Sequence, residues 1–239
     1  MRRDHRPYAV KQAIQTFERF YVRHFIAPQL TALGRGAVMM RPWYINISGG
    51  KIEIGRNVTL MATSDQRIRL AVWPGPASIG KLTIRDNVII SPGVRISAAK
   101  SITIDNNCMI ANGGYITDSD WHGIYDRVSL GNPKPVHLEQ NVWMGDHAMV
   151  AKGVTIGENS IIGAKAAVVS DIPANCVAAG NPAKILKRLD PQEKITTRAK
   201  VFENPDKLAE DVLNFDRRLL ADNTLLKWLR VLFFPRRGD

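Results

Sequence analysis

The chain has 239 residues, 45% of them apolar, and a net charge of +11. This apolar content is enough to bury a core and excludes a disordered tail. No run reaches the roughly 18 apolar residues of a spanning helix, and the start, MRRDHRPYAVKQ, lacks the apolar middle of a secretory signal, so we expect a cytoplasmic protein.

The first segment, residues 1–30, is predicted to be helical because its apolar residues recur at helical spacing, and Pro28 is predicted to end the helix. It carries six Lys and Arg residues against two Asp and Glu residues. We expect this segment to cover one end of the repeat that follows. The apolar stripe consists of Val10, Ile14, Phe17, Tyr21 and Phe25.

The centre of the chain, residues 31–188, contains a six-residue repeat of aliphatic residues. This spacing fits neither a helix nor a simple strand alternation. It fits short strands and tight turns stacked in a coil, in which Gly and Asn supply the positive φ of the turns. We therefore predict a parallel β-helix with both ends covered. The repeating residues are Ile54, Leu60, Ile84, Ile90, Ile96, Ile104, Ile110, Ile116, Leu138, Met144, Val150, Ile156, Ile162 and Val168.

The two cysteines of the chain, Cys108 and Cys176, each occupy a small-residue position of this repeat. Such a position favours a buried thiol over a disulfide or a metal site. We therefore predict two buried thiols.

The repeat lapses between Ile116 and Leu138, which predicts a loop extruded from the coil over residues 117–135. This loop contains TDSDWHGIYDR and therefore His122. Loops held on a rigid scaffold often carry function. An imidazole titrates near neutral pH and can take a proton from a hydroxyl group as that group attacks a carbonyl carbon.

The last segment, residues 189–239, is predicted to be a helical extension that ends in DNTLLKWLRVLFFPRRGD. Its apolar face, interfacial Trp and basic opposite face are typical of a helix lying on an anionic membrane surface. The alternative is that the terminal helices pack on the coil or on each other. The apolar face consists of Leu225, Trp228, Leu229, Leu232 and Phe233.

The hexads over PVHLEQNVWMGDHAMVAKGVTIGENSIIGAKAAVVSDIPANCVAAGNPAKILKR resemble those of the hexapeptide-repeat acyltransferases. This family includes galactoside, maltose and xenobiotic acetyltransferases and polysaccharide O-acetyltransferases. The resemblance covers roughly residues 45–188 and implies a mainly β fold, a left-handed parallel β-helix with helical segments at both termini. The segment SDWHGIYDR resembles the SDGH segment of the polysaccharide O-acetyltransferases, which makes His122 the match to their catalytic histidine.

The resemblance implies transfer of an acetyl group from acetyl-CoA to a sugar hydroxyl, in the synthesis of a surface polysaccharide or lipid-linked glycan. His122 would be the general base, and Asp118, Asp120 and Asn112 would bind the acceptor. Either aspartate could instead orient His122, and the sequence leaves these roles open. An acyltransferase acting on a non-sugar small molecule and a non-catalytic scaffold remain alternatives.

The resemblance also places the donor in a groove along the rungs from Trp143 to Ser170. A backbone N–H at Gly145 or Asp146 would receive the oxyanion. Many relatives have Thr-Lys where this chain has Val169-Ser170. One lysine is therefore absent at the end of the groove where the phosphates of CoA would bind. The cofactor-binding set is Trp143, Gly145, Asp146, Ala164, Ser170, Lys184 and Lys187, and the two lysines could instead be solvated cations at the start of a cap helix.

The relatives are trimers, so we expect a homotrimer with active sites between subunits and possible peripheral contact with an anionic membrane at the inner face of the plasma membrane. We expect no nucleic-acid partner, because aromatic residues are not interleaved with a basic stripe along the coil. We also expect no metal. His137 and His147 are ten positions apart, which is neither one hexad nor two, so they are not expected to converge on zinc as in carbonic anhydrases built on this coil.

Overall fold

A computed structural model gives the structure of residues 4–74, 80–129 and 131–237, so Leu130 of the predicted loop lies outside the described residues. The chain divides into two compact units. The coil unit is Tyr21–Lys200, and the helical unit combines Met1–Phe20 with Val201–Asp239. The α-helices are α1 (Tyr8–Tyr21), α2 (Pro205–Leu219) and α3 (Leu225–Phe233), the π-helix is Val22–Ile26, and 3-10 turns cover Ala27–Gln29, Pro42–Tyr44 and Arg198–Phe202.

The coil unit consists of short strands that repeat along the chain. In chain order they are β1 (Ala32–Leu33), β2 (Val38–Met40), β3 (Ile45–Ser48), β4 (Ile52–Ile54), β5 (Thr59–Met61), β6 (Ile68–Val72), β7 (Lys81–Ile84), β8 (Ile89–Ile90), β9 (Arg95–Ala98), β10 (Ser101–Ile104), β11 (Met109–Ile110), β12 (Tyr115–Thr117), β13 (Val136–Leu138), β14 (Trp143–Met144), β15 (Met149–Val150), β16 (Thr155–Ile156), β17 (Ile161–Ile162), β18 (Ala167–Val168), β19 (Cys176–Ala179) and β20 (Lys184–Arg188).

These strands form three sheets, and the chain visits them in turn. The first sheet has the order β1-β4-β7-β10-β13-β16, and the second has the order β2-β5-β8-β11-β14-β17-β19-β20. The third has the order β18-β15-β12-β9-β6-β3. The paired strands are parallel except for β19 and β20. The predicted parallel β-helix with helical segments near both termini is confirmed.

The hexad residues predicted to point inward form three buried columns, one per sheet, and each is between 0 and 2% exposed. A fully buried aliphatic side chain contributes about 1.5–3 kcal/mol relative to an exposed one, so the columns are the main source of coil stability. The first column is Ile54, Ile84, Ile104, Leu138 and Ile156; the second is Leu60, Ile90, Ile110, Met144 and Ile162; the third is Ile96, Ile116, Val150 and Val168.

Both cysteines are buried free thiols, as predicted. Burial raises the pKa of the Cys108 thiol to about 12. Its Sγ donates to the carbonyl oxygen of Glu139 at 3.1 Å. A thiol with this pKa is not ionised near neutral pH and is therefore not a nucleophile there.

Asparagines at the corners of the coil form two side-chain ladders. Asn141, Asn159 and Asn175 all have φ between 57° and 60°, in the left-handed region that Asn tolerates better than most residues. The amide of Asn141 donates to the Oδ1 of Asn159 at 2.9 Å, and Asn159 donates to Asn175 at 3.0 Å. The other ladder runs through Asn57, Asn87 and Asn107.

The end of the coil differs from the expected cap helix at Lys184 and Lys187. Residues Lys184–Arg188 form β20, which pairs antiparallel with β19. The physical reason is that β19 would otherwise be an open sheet edge, and a returning strand satisfies its backbone groups.

The helical unit is held together by buried polar contacts. Lys11 Nζ lies 2.6 Å from Asp216 Oδ1, and Asp216 is buried. The Asn223 amide donates to the carbonyl oxygens of Asp4 and Arg6 at 2.7 and 3.0 Å. None of the helices within the described residues is long and apolar enough to cross a membrane.

Candidate active site

The loop that carries His122 leaves the coil after β12 and returns at β13. Its described residues contain no helix or strand. The loop is inserted between two successive strands of the coil, so its backbone groups lie outside the sheets and must be held by other means. Three features of the structure hold it: Asp118, Lys152 and Trp121.

Asp118 fixes the start of the loop. The residue is fully buried, and its carboxylate accepts backbone N–H groups from Ala99, Lys100 and Ser101, each at 2.7 Å. Charge-assisted bonds of this kind are among the strongest in proteins. A carboxylate with no exposed surface does not contact an acceptor, so the predicted acceptor role of Asp118 gives way to a positioning role at the base of the loop.

Lys152 joins the two ends of the loop from the next rung of the coil. Its ammonium group pairs with the carboxylate of Asp120 and donates to the carbonyl oxygen of Asn132 at 3.2 Å. Asp120 lies near the start of the loop and Asn132 near its end. The carboxylate of Asp120 is half exposed, and Lys152 occupies one of its oxygens.

Trp121 has a φ of 65°, in the left-handed region that bulky residues rarely adopt. Its backbone N–H donates to Ser119 Oγ at 3.1 Å. Its ring packs edge-on against the Trp73 ring, with the two centroids 5.5 Å apart. The indole Nε1 is buried without a hydrogen-bond partner among the described residues. Backbone strain of this kind is commonly found at functional sites.

His122 is exposed and lines a shallow depression with Gly123, Ile124 and Arg127. Within the described part of the chain, its ring forms no hydrogen bond or ion pair. The carboxylates of Asp118 and Asp120 contact other groups and do not contact the His122 ring. An exposed imidazole with both nitrogens accessible can accept a proton from a substrate hydroxyl.

Asn112 lies in the turn between β11 and β12, and its side chain is half-buried. Its carbonyl oxygen accepts the N–H of His147 at 2.7 Å. The His147 ring lies over Gly113, where an added Cβ would come within 2.7 Å of the ring. Asn112 and His147 are therefore adjacent at one corner of the coil.

Trp143, Gly145 and Ala164 mark the predicted donor groove. Trp143 is exposed on the outer face of β14, and Gly145 follows that strand. A Cβ at Gly145 would lie 2.7 Å from the Ala164 nitrogen, so only glycine allows this close stacking of rungs. The Gly145 N–H donates to the Ile162 carbonyl at 2.7 Å and is not free to bind an oxyanion.

Asp146 is exposed, and its carbonyl oxygen accepts the N–H of Lys165 at 2.7 Å. Its own N–H has no hydrogen-bond partner among the described residues. Of the two predicted oxyanion donors, only the N–H of Asp146 is available.

The residues predicted for the phosphate end of the donor are all exposed. Ser170 lies in the turn after β18, while Lys184 and Lys187 lie on β20. The exposed lysines keep their charge in contact with solvent, where a phosphate could pair with them.

His137 has a carboxylate partner that sequence reasoning missed. Its Nε2 lies 2.7 Å from Asp105 Oδ2, and Arg85 Nε contacts the other oxygen of Asp105 at 2.8 Å. This pair could have been predicted from the repeat. Asp105 directly follows Ile104, His137 directly precedes Leu138, and Ile104 and Leu138 pair in register. Among the described residues, no group of three or more His, Cys, Asp or Glu side chains could hold a metal ion.

A model of the family "Bacterial transferase hexapeptide (six repeats)" matches residues 135–169. The chain is 33% identical over 170 residues to "Putative lipopolysaccharide biosynthesis O-acetyl transferase WbbJ" of Escherichia coli, a match that covers 66% of this chain and 82% of the relative. It is 30% identical over 173 residues to the galactoside O-acetyltransferase of Escherichia coli, covering 71% and 69% of the two chains.

Among solved structures, the chain is similar to AntD, an N-acyltransferase from Bacillus cereus in complex with dTDP and 3-hydroxybutyryl-CoA. The TM-score is 0.56 at 16% sequence identity, with 80% of this chain and 95% of AntD covered. This likeness supports the fold.

Proposed function

Because this chain belongs to the hexapeptide-repeat acetyltransferase family, we propose that it transfers an acetyl group from acetyl-CoA to a sugar hydroxyl, with His122 as the general base. The observation that carries the proposal is the position of His122. Its ring is exposed on a loop whose base is fixed by Asp118 and Lys152, and no described side chain occupies its nitrogens.

The chemistry needs a base because a sugar hydroxyl is a poor nucleophile at neutral pH. A nitrogen of His122 takes the hydroxyl proton while the oxygen attacks the thioester carbonyl carbon. The tetrahedral intermediate collapses, the carbon–sulfur bond breaks, and the CoA thiolate leaves. His122 then returns the proton to the thiolate, so the enzyme ends the cycle in its starting state.

The oxyanion of the intermediate needs a hydrogen-bond donor. The N–H of Asp146 fits this role, since the N–H of Gly145 is used within the coil. A single well-placed donor of this type is worth about 3–4 kcal/mol in the transition state. Trp143 and Ala164 would contact the pantetheine arm, and Ser170 with Lys184 and Lys187 would meet the phosphates.

The acceptor is proposed from the names of the relatives. One is named for lipopolysaccharide biosynthesis and the other is a galactoside O-acetyltransferase. A sugar within a surface polysaccharide or lipid-linked glycan therefore fits best. Asn112 and the free oxygen of Asp120 would contact this acceptor.

We also propose that the active enzyme is a homotrimer with its sites between subunits. The loop supports this because Ile124, Tyr125 and Val128 are 80, 100 and 96% exposed in the single chain. Apolar side chains this exposed commonly mark a protein interface. A closed threefold assembly would bury them against a neighbouring copy.

The helical unit is the proposed contact with an anionic membrane at the inner face of the plasma membrane. On α3, Leu226, Leu232 and Phe233 are largely exposed, and the basic residues Arg236 and Arg237 follow. An apolar helix face next to cations suits a surface of anionic lipids. Such a location would bring the enzyme close to lipid-linked acceptors.

The proposed function is tested by offering the purified enzyme a panel of acyl-CoA donors with candidate sugars and lipid-linked glycans, and detecting products by mass spectrometry. We expect acetyl-CoA to be used and one class of sugar to gain a single acetyl ester, with no product from the His122→Ala protein. Binding of CoA without any acyl transfer would contradict the proposal and favour a scaffold.

A further inference from the structure

A groove crosses the outer face of the third sheet, over strands β3, β6 and β9, entirely within the coil unit. Its volume is about 700 Å³, the size of a typical small-molecule site. None of the predicted donor-binding residues lines it. No acidic side chain lines it among the described residues, although two arginines do.

The two arginines, Arg69 and Arg95, occupy paired positions on neighbouring strands. Parallel strands are roughly 4.8 Å apart, so the two arginine side chains leave the same face of the sheet from neighbouring positions. Both side chains are exposed, and neither has an ion-pair partner among the described residues. The Arg95 guanidinium lies over the Tyr115 ring, 4.8 Å from its centroid, which limits its freedom.

Like charges directly opposite each other in a sheet are destabilising. An anion bound in the groove would offset this repulsion. Arginine suits a phosphate or a carboxylate, since its planar fork can donate two parallel hydrogen bonds to either group.

The rest of the lining suits a sugar. Trp43 and Trp73 supply indole surfaces on which the C–H face of a pyranose ring can pack. Asn46 and Ser48 present polar side chains from β3. Ser97 is only 2% exposed and lines the groove, where its hydroxyl can contact a bound sugar.

The groove is physically continuous with the base of the His122 loop. Trp73, which lines the groove, contacts the ring of Trp121, and Trp121 directly precedes His122. Ser97 lines the groove and also accepts the N–H of Asp118 through its carbonyl oxygen at 3.4 Å. The buried, unpartnered Nε1 of Trp121 adds a hydrogen-bond donor at this junction.

We propose that this groove binds an anionic acceptor, a glycan carrying a phosphate or carboxylate group, through Arg69 and Arg95. A sugar held by its anionic group on these arginines would extend past Trp73 toward the loop and present a hydroxyl to His122. This inference rests on the proposed function and narrows its substrate class from sugars in general to anionic sugars.

The test uses the full chain and measures binding separately from turnover. Glucose, glucose 1-phosphate and glucuronic acid are each titrated against the enzyme without acetyl-CoA by ligand-observed NMR. We expect glucose 1-phosphate or glucuronic acid to bind at least about tenfold more tightly than glucose, and whichever binds more tightly identifies the anionic group. Arg69→Gln and Arg95→Gln should each remove this preference.

Arg35→Gln is the matched control, because Arg35 is an exposed arginine of the same unit that does not line the groove. It should bind the three sugars as the wild type does. Equal binding of charged and neutral sugars, or an unchanged preference in both groove variants with unchanged melting temperatures, would overturn the inference. A rise in the KM for acetyl-CoA in the groove variants, without effect on sugar binding, would also overturn it.

Acetyl transfer by the same proteins separates this inference from the proposed function. If the enzyme acetylates neutral sugars at a rate that neither Arg69→Gln nor Arg95→Gln changes, the proposed function is supported and the anionic-acceptor inference is wrong. If the wild type binds an anionic sugar through these arginines but acetylates no sugar, the proposed function fails and the groove loses its role as the acceptor site.

Discussion

Lys152 is the residue on which the geometry of the His122 loop depends most directly. It comes from a turn of the coil, while the groups it holds, Asp120 and Asn132, lie near opposite ends of the loop. A cation between a carboxylate and a carbonyl oxygen ties these ends together without any regular secondary structure. Its role is positioning, because it acts on the reaction only through the loop.

Replacing Lys152 with Met should therefore lower kcat by roughly tenfold, because small displacements of a catalytic group are costly. The KM for acetyl-CoA should change little, since Lys152 is not one of the predicted donor-binding residues and its ammonium group is held by the loop. Steady-state kinetics measures both quantities. Lys81→Met is the matched control, as it breaks a comparable exposed ion pair with Glu53. Equal kcat values for the two variants would contradict the positioning role.

The aspartates of the loop show what sequence reasoning could not reach at this scale. Asp118 and Asp120 are two positions apart and look equivalent beside His122. Their partners come from distant positions, Ala99 for Asp118 and Lys152 for Asp120. These contacts depend on how the rungs stack around the inserted loop. The residues next to each aspartate in the sequence therefore could not predict them.

At the scale of elements, the corners of the coil combine a strained backbone with a side-chain ladder. Asn159 has a φ of 59° and is bonded to Asn141 on one side and Asn175 on the other. One residue type thus meets two requirements, since Asn accepts the left-handed conformation and its amide carries both a donor and an acceptor.

Asn159→Ala should lower the free energy of unfolding by about 2–3 kcal/mol. About 1 kcal/mol comes from the left-handed backbone of a residue with Cβ, and the rest comes from the lost amide hydrogen bonds. Asn159→Gly should cost less, because glycine adopts this φ freely and loses only the hydrogen bonds. Urea denaturation compares the three proteins. A glycine variant less stable than the alanine variant would contradict this account.

The strands were predictable from sequence because one hexad advances the chain by one sheet, so the inward residue recurs at a fixed interval. Elements outside the repeat were harder to predict. The N-terminal helix was expected to run to Pro28, yet α1 ends at Tyr21 and widens into the π-helix Val22–Ile26. Helix α2 was not singled out, although Asn204 and Pro205 form a recognisable start, with the Asn204 side chain accepting the Lys207 N–H.

At the scale of the whole molecule, the excess positive charge is concentrated at the termini. Residues 1–30 and 184–239 hold eight of the eleven excess charges. The helical unit itself has twelve Lys and Arg residues against nine Asp and Glu residues, a net charge of +3, together with the exposed apolar side chains of α3. This combination is the basis of the proposed membrane contact.

The full chain should therefore sediment with phosphatidylglycerol liposomes and not with neutral ones, and added salt should release it. A chain ending at Asn223 lacks α3 and should stay in the supernatant. Leu226→Glu is a second variant, which changes one exposed side chain and keeps the contacts of Asn223. Equal recovery of the full chain with and without anionic liposomes would contradict membrane binding.

The central claim is that His122 is the general base. It is tested most directly by comparing kcat for acetyl transfer in His122→Ala and His137→Ala. His137 is a suitable control because it is a half-exposed histidine on strand β13, where it pairs with Asp105. We expect His122→Ala to lose about 10²–10⁴-fold in kcat with an unchanged melting temperature and unchanged acetyl-CoA binding, and His137→Ala to stay near the wild-type rate. Wild-type turnover by His122→Ala, or a large loss confined to His137→Ala, would contradict the claim.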